Sequence, residues 1–92
     1  MIMRTYHPVH TYTRRIVIPP EAWQLAKYPY TIAHSYDNEN GYIGRVIEMP
    51  EVVIAEDTPE ALEASLYKAI ALAIAVDLRN GRPIRTPQSI AV

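Results

Sequence analysis

The longest stretch of the sequence without proline or glycine runs from residue 60 to residue 80, and this stretch constrains the fold more than any other feature. Thr58 is a suitable N-cap, and Pro59 is of a type favoured at the first helical position. Asp57 and Glu60 place negative charge at the positive end of the helix dipole. Gly81 can adopt the left-handed conformation that ends a helix. These signals predict one long helix over residues 59–80.

The large apolar residues of this helix fall into two groups around a period of 3.6 residues. One group should pack on a sheet and consists of Leu62, Leu66, Ile70, Ala73 and Ile74. Leu72 and Val76 lie roughly opposite that stripe, so we expect another segment or a partner to cover them.

Four basic residues gather around the helix and the segment after it: Lys68, Arg79, Arg82 and Arg85. Together with Leu72 and Val76 they form a candidate partner-binding surface. The alternative for the four cations is that they complement the helix dipole and remain solvated.

The segments before the helix have the pattern of strands separated by turns. Residues 30–36 alternate in polarity, with Tyr30, Ile32, His34 and Tyr36 on one face. Asn40-Gly41 favours a tight hairpin. It is followed by a strand over residues 42–49 that Pro50 should close, and by a short third strand over residues 52–55. After the helix, Ile84 is the apolar residue placed to pair in a last, edge strand.

The N-terminal residues carry their own signals. Residues 11–18 favour a strand, Pro19-Pro20 stops it, and residues 21–27 can form two helical turns. We therefore predict an N-terminal extension over residues 1–27 and a main domain over residues 28–92. The expected fold is α+β, an antiparallel three- to four-stranded sheet covered by one long helix. The core order is β-β-β-α-β, with the N-terminal strand and short helix added.

Composition excludes several classes of function. The formal net charge is −1 and lacks the basic excess that non-specific nucleic-acid binding needs. There are no cysteines and three glycines, so no thiolate zinc site and little material for a phosphate-binding glycine loop. The longest apolar run, residues 69–76, is too short to span a bilayer, and no signal-peptide pattern is present. We expect a cytoplasmic protein without a cofactor or a catalytic motif.

A few residues have side chains that carry chemistry elsewhere. His7 and His10 are three apart, but no third ligand clusters with them, so we predict no metal site. His34 is interpreted as a histidine at the edge of the core. A metal-dependent nuclease remains a third hypothesis, and it would use Asp37 and Glu48.

Residues 36–50 and 55–61 together resemble the HicB antitoxin family. They show a strand, an acidic turn, a second strand opening with Gly41-Tyr42, a proline at position 50, and Asp57-Thr58 before the helix. Residues 81–87 resemble the segment that follows the helix in that family. The resemblance covers about two thirds of the chain and implies a partial ribonuclease-H-like fold without nuclease activity.

The resemblance also implies a function and partners. HicB antitoxins mask a small HicA-type toxin that cleaves mRNA, and such domains tend to form homodimers or larger homo-oligomers. Family members commonly add a C-terminal DNA-binding module. None follows residue 92, so we do not expect this chain to bind operator DNA by itself. The alternative is a homo-oligomeric accessory or scaffold protein with the same fold, no toxin partner, and binding through the N-terminal extension.

Overall fold

The chain folds into one twisted sheet with two helices, seen in a computed structural model that describes residues 3–4 and 17–87. The elements in chain order are β1 (Met3–Arg4), α1 (Pro20–Leu25), β2 (Ile32–Asp37), β3 (Gly41–Val46), β4 (Met49–Glu56) and α2 (Pro59–Arg79). The sheet order is β1-β4-β3-β2, with β2, β3 and β4 antiparallel and β1 parallel to β4. The predicted α+β class, with an antiparallel sheet and one long helix, is confirmed.

The hairpin between β2 and β3 forms where the turn residues predict it. The Asp37 carboxylate accepts hydrogen bonds from the backbone N–H of Glu39 at 2.9 Å and of Asn40 at 2.6 Å. These bonds favour the ionised carboxylate, and the one from Asn40 contributes most to lowering the pKa of Asp37. Gly41 then takes a φ of 85° and pairs with Asp37.

The turn between β3 and β4 lies earlier than predicted. Pro50 does not close the second strand: β3 ends at Val46, and Pro50 is the second residue of β4. The turn is held from β2, because Ile47 N–H donates to the Thr31 carbonyl at 2.9 Å. The pairing of β3 with β4 shifts register between Arg45 and Val46, which pair with Val53 and Met49. Pro50 lies in this irregular part of β4, where a residue without an N–H is tolerated.

Helix α2 begins and packs as its sequence predicts. The Thr58 hydroxyl accepts a hydrogen bond from Ala61 N–H at 3.1 Å and caps the first turn. The predicted sheet-facing stripe is buried along its whole length. A Cβ on Gly44 of β3 would come within 2.7 Å of the Leu66 side chain. The glycine therefore lets the helix lie close on the sheet.

The short helix α1 joins the same core. Ala22 is fully buried, and the rings of Trp23 and Tyr67 lie 5.2 Å apart between centroids. The Tyr67 hydroxyl also donates to the Trp23 carbonyl at 3.0 Å. The predicted helix near residues 21–27 is therefore confirmed, and it packs against α2.

Two predicted strands are not part of the described sheet. Most of the expected strand at residues 11–18 lies outside the described residues, and residues 17–18 are not in a strand. Residues 82–87 are extended but form no strand, so the expected pairing through Ile84 is wrong for this segment. Pro83 and Pro87 have no N–H to donate, and the Arg85 carbonyl accepts from the Tyr30 hydroxyl at 2.6 Å instead of from a strand.

Gly41 should be the glycine most sensitive to substitution, and Gly81 provides the matched control. Both have positive φ, of 85° and 68°. In Gly81→Ala the new Cβ meets nothing within 4 Å, so we expect a loss of about 1–2 kcal/mol from the backbone conformation alone. In Gly41→Ala the Cβ would lie 2.5 Å from the Glu56 carbonyl oxygen, so the loss should be larger. Urea denaturation of both variants measures this difference, and equal losses would contradict it.

Candidate functional site

An apolar groove runs between helix α2, strand β4 and residues 82–85, and we name it the tail groove. Its volume is about 790 Å³. Its apolar floor consists of Val52, Ile54, Ala69, Leu72, Ala73 and Val76. Its rim consists of Glu51, Asp77, Arg82, Pro83 and Arg85. An apolar floor with a charged rim is the usual composition of a protein-binding site.

Leu72 and Val76 are where the predicted partner-binding surface meets this groove. Leu72 is 39% exposed although it lies in the middle of the helix and the residues on either side of it, Ala71 and Ala73, are buried. Val76 is half-buried. Both lie on the flank of α2 above β4 rather than on the side directly opposite the sheet, so they form part of the apolar floor of the groove.

The four predicted basic residues have different positions. Arg82 and Arg85 line the tail groove. Lys68 and Arg79 are exposed on α2, four residues before and seven residues after Leu72, so they share its side of the helix. The structure therefore brings Leu72, Val76, Arg82 and Arg85 together and places Lys68 and Arg79 on the adjoining surface.

Arg85 is the most constrained of these side chains. Its Nε and Nη2 donate to the Asp77 Oδ2 at 3.1 and 3.0 Å. Its Nη1 donates to the Glu51 Oε1 at 2.9 Å. The bonds with Glu51, followed by those with Asp77, raise the pKa of Arg85, and the bond with Arg85 is the main cause that lowers the pKa of Glu51. The Arg85 side chain thus joins the segment after α2 to both α2 and β4.

Asp77 was missed by the sequence analysis, although a signal was present. It is only 4% exposed, and it lies seven residues after Ile70 on the stripe that faces the sheet. An acid at a core position needs a cationic partner. Arg85 is that partner, and the Arg82 Nε lies 3.5 Å from the Asp77 Oδ1.

Tyr30 fixes the same segment through a separate contact with its backbone. Its ring is buried, and its hydroxyl donates to the Arg85 carbonyl. Burial is the main cause that raises the pKa of this hydroxyl, and the charge of Glu48 acts in the same direction. The phenol therefore remains a donor over the neutral range, and residues 82–85 are held by both the backbone and the side chain of Arg85.

A second groove lies on the opposite flank of α2, above the outer strand β2, and we name it the tyrosine groove. Its volume is about 490 Å³. Four tyrosines line it, Tyr28, Tyr30, Tyr42 and Tyr67. The lining also includes Ile32 and His34 of β2 and Leu62, Glu63, Leu66 and Ile70 of α2. His34 is exposed at the rim of this groove rather than at the edge of the core.

The residues named by the nuclease hypothesis do not form one site. Asp37 pairs with the first residue of β3, whereas Glu48 lies in the turn beyond its last residue. A strand of that length separates the two by roughly 17 Å. The Glu48 carboxylate accepts from the Thr31 hydroxyl at 2.8 Å and from the Thr31 N–H at 3.0 Å. His7 and His10 lie outside the described residues.

Among residues 3–4 and 17–87, no three His, Cys, Asp or Glu side chains are grouped so that they could hold a metal ion. None of the helices in this part of the chain has the length and apolar character needed to cross a bilayer.

Comparison of the chain with protein-family models, with curated proteins and with solved structures gives no match. The class is therefore defined by the molecule itself: an α+β domain whose long helix is flanked by two apolar grooves.

Removing the Arg85 side chain should destabilise the domain much more than removing that of Arg82. Arg85→Leu leaves the buried Asp77 with only the exposed Arg82 beside it, and removing the main partner of a buried charge costs roughly 3–5 kcal/mol. Arg82 is 56% exposed at its side chain, so Arg82→Leu should cost less than about 1 kcal/mol. Chemical denaturation of the two variants is the measurement. Similar losses would show that the buried carboxylate does not depend on Arg85.

Acid should weaken the same network through Glu51. Its pKa is lowered from the ordinary value of 4.5, so its contribution to stability is complete above that value. The contribution is lost as the pH falls through the lower pKa of the folded state. Glu51→Gln should therefore flatten the dependence of the unfolding free energy on pH in the acid range, leaving the slope that Asp37 contributes. An unchanged slope in Glu51→Gln would contradict the role given to Arg85.

Proposed function

We propose that this chain is a non-catalytic, cytoplasmic protein-binding module of the HicB antitoxin type. It neutralises a small mRNA-cleaving toxin of the HicA type by covering it, and the tail groove is the docking surface. The observation that carries the proposal is the exposure of Leu72 beside an open apolar floor. Contiguous apolar surface that is rimmed by polar residues is typical of protein interaction sites, and Leu72 belongs to such a surface here.

The fold supports this proposal. The resemblance implies three antiparallel strands, a helix and a last strand, and the chain has β2, β3, β4 and α2 in that order, whereas residues 82–87 form no strand. The hairpin that contains Gly41 and the helix start at Thr58 are the segments that carry the resemblance, and both form as it implies.

The chemistry of the groove indicates what part of a partner it accepts. The floor would bury apolar side chains of the toxin, which supplies most of the affinity in protein interfaces. Lys68, Arg79 and Arg82 surround Leu72 and Val76 and would attract acidic residues of the partner. Asp77 and Glu51 already hold the Arg85 side chain, so this side chain would lose little conformational freedom when a partner binds.

Charged side chains placed in the apolar floor of the groove should weaken toxin neutralisation. The toxin to test is a small mRNA-cleaving protein of the HicA type, sought among the neighbouring genes, and its cleavage of mRNA is measured with increasing amounts of the chain. Leu72→Glu combined with Val76→Lys should weaken inhibition by about thirtyfold or more, since a central anchor contributes roughly 2 kcal/mol.

The matched control is Ala64→Glu, which adds a charge at an exposed position of α2 that does not line the tail groove. It should inhibit as the wild type does. Equal weakening by both variants would remove the groove from the proposal. Undiminished cleavage with excess wild-type chain, or the lack of a neighbouring toxin gene, would remove the antitoxin function and favour the scaffold alternative.

A further inference from the structure

Among the residues that the structure describes, strand β2 is an outer strand, and its outer edge has little of the usual protection. It lies at one end of the sheet order, and residues 33–37 are exposed. Residues 32–36 contain no lysine, arginine or proline, and all six residues of β2 pair with β3 without a bulge. Sheet edges are normally blunted by charges, prolines or bulges, because a regular edge can pair with another strand.

The register identifies the backbone groups that point outward from this edge. Ile47 N–H donates to the Thr31 carbonyl, so Thr31 and Ile47 form a hydrogen-bonded pair of the β2–β3 ladder. Such pairs alternate along an antiparallel ladder, so residues 33, 35 and 37 also direct their backbone groups to β3. Ile32, His34 and Tyr36 consequently direct three N–H and three C=O groups away from the sheet.

We propose that β2 pairs antiparallel with β2 of a second copy of this chain, around a two-fold axis at His34. In this register His34 lies opposite His34 of the other copy, and Ile32 lies opposite Tyr36. All six outward groups of each chain then form hydrogen bonds. A shift of two residues in either direction leaves one third of them without a partner, so the number of backbone hydrogen bonds favours the register centred on His34.

The side chains on the helix side of the sheet fit this register. Tyr36 is 58% exposed and packs on Tyr42, with ring centroids 4.8 Å apart. In the dimer it stands beside Ile32 of the other copy, at the mouth of the tyrosine groove. Asp37 would lie opposite Thr31 rather than opposite another acid, so no two carboxylates face each other along the paired strands.

Single cysteines test the register directly, because the chain has none of its own. In a hydrogen-bonded antiparallel pair the Cα atoms lie about 5.5 Å apart, which suits a disulfide. His34→Cys should therefore form a covalent dimer rapidly under mild oxidation. In the control Ala33→Cys the two cysteines would be diagonal neighbours about 7–8 Å apart, beyond the usual reach of a disulfide, so cross-linking should be much slower. Equal rates for the two variants would overturn the register.

Light scattering over a range of concentrations tests the dimer itself. The wild type should reach twice the 10.5 kDa mass of one chain. His34→Gln should keep that mass, and His34→Lys should give a monomer that remains folded by circular dichroism. Ala33→Lys, on the other face of the same strand, is the control and should remain dimeric. A wild type that stays monomeric at every concentration, or a His34→Lys variant that stays dimeric, would overturn the proposal.

This inference is independent of the proposed function. The combined Leu72→Glu and Val76→Lys variant lies on the other flank of α2 and should remain dimeric while it loses toxin inhibition. Dissociation of the dimer by that variant would place self-association on the tail groove and overturn the role of β2.

Discussion

The packing of α2 on β3 and β4 is the contact on which the rest of the structure depends. A helix with its side chains is about 10 Å wide, and neighbouring strands lie about 4.8 Å apart, so one helix covers two strands. The close approach at Gly44 and Leu66 fixes where those two strands lie. Both grooves follow from this mismatch of widths, since sheet and helix surface remain open on each flank of α2.

The buried carboxylate of Asp77 organises one of these flanks. A carboxylate buried in the core needs a cationic partner, and here the cation comes from the segment after the helix. That requirement folds residues 82–85 back toward β4, where Glu51 completes the set of acceptors for Arg85. The same pair that stabilises the helix end therefore forms a wall of the tail groove.

The two flanks have different chemistry and suit different occupants. The tail groove combines an apolar floor with a rim that carries charges of both signs, and under the proposed function it binds apolar and acidic residues of a foreign protein. In the part of the chain that the structure describes, the outer edge of β2 offers a row of backbone donors and acceptors that is its own complement. Because α2 lies between them, a dimer formed through β2 would leave two tail grooves open, one on each copy.

The sequence by itself determined the features that depend on neighbours along the chain. The cap at Thr58, the turn before Gly41 and the apolar stripe of α2 each arise from residues within a few positions of one another, so their patterns could be recognised directly. The helix, the hairpin and the α+β class were predicted for this reason.

Other features were decided only by the tertiary structure. The turn at residues 47–48 is set by Thr31, which lies far earlier in the chain, so Pro50 was a misleading signal. The segment after α2 is held by Tyr30 and Asp77 instead of by strand pairing, so Ile84 does not mark a strand. The open edge of β2 likewise depends on the order of the strands in space. Each of these outcomes depends on a contact between distant residues, whose free energy exists only after the sheet and the helix have come together.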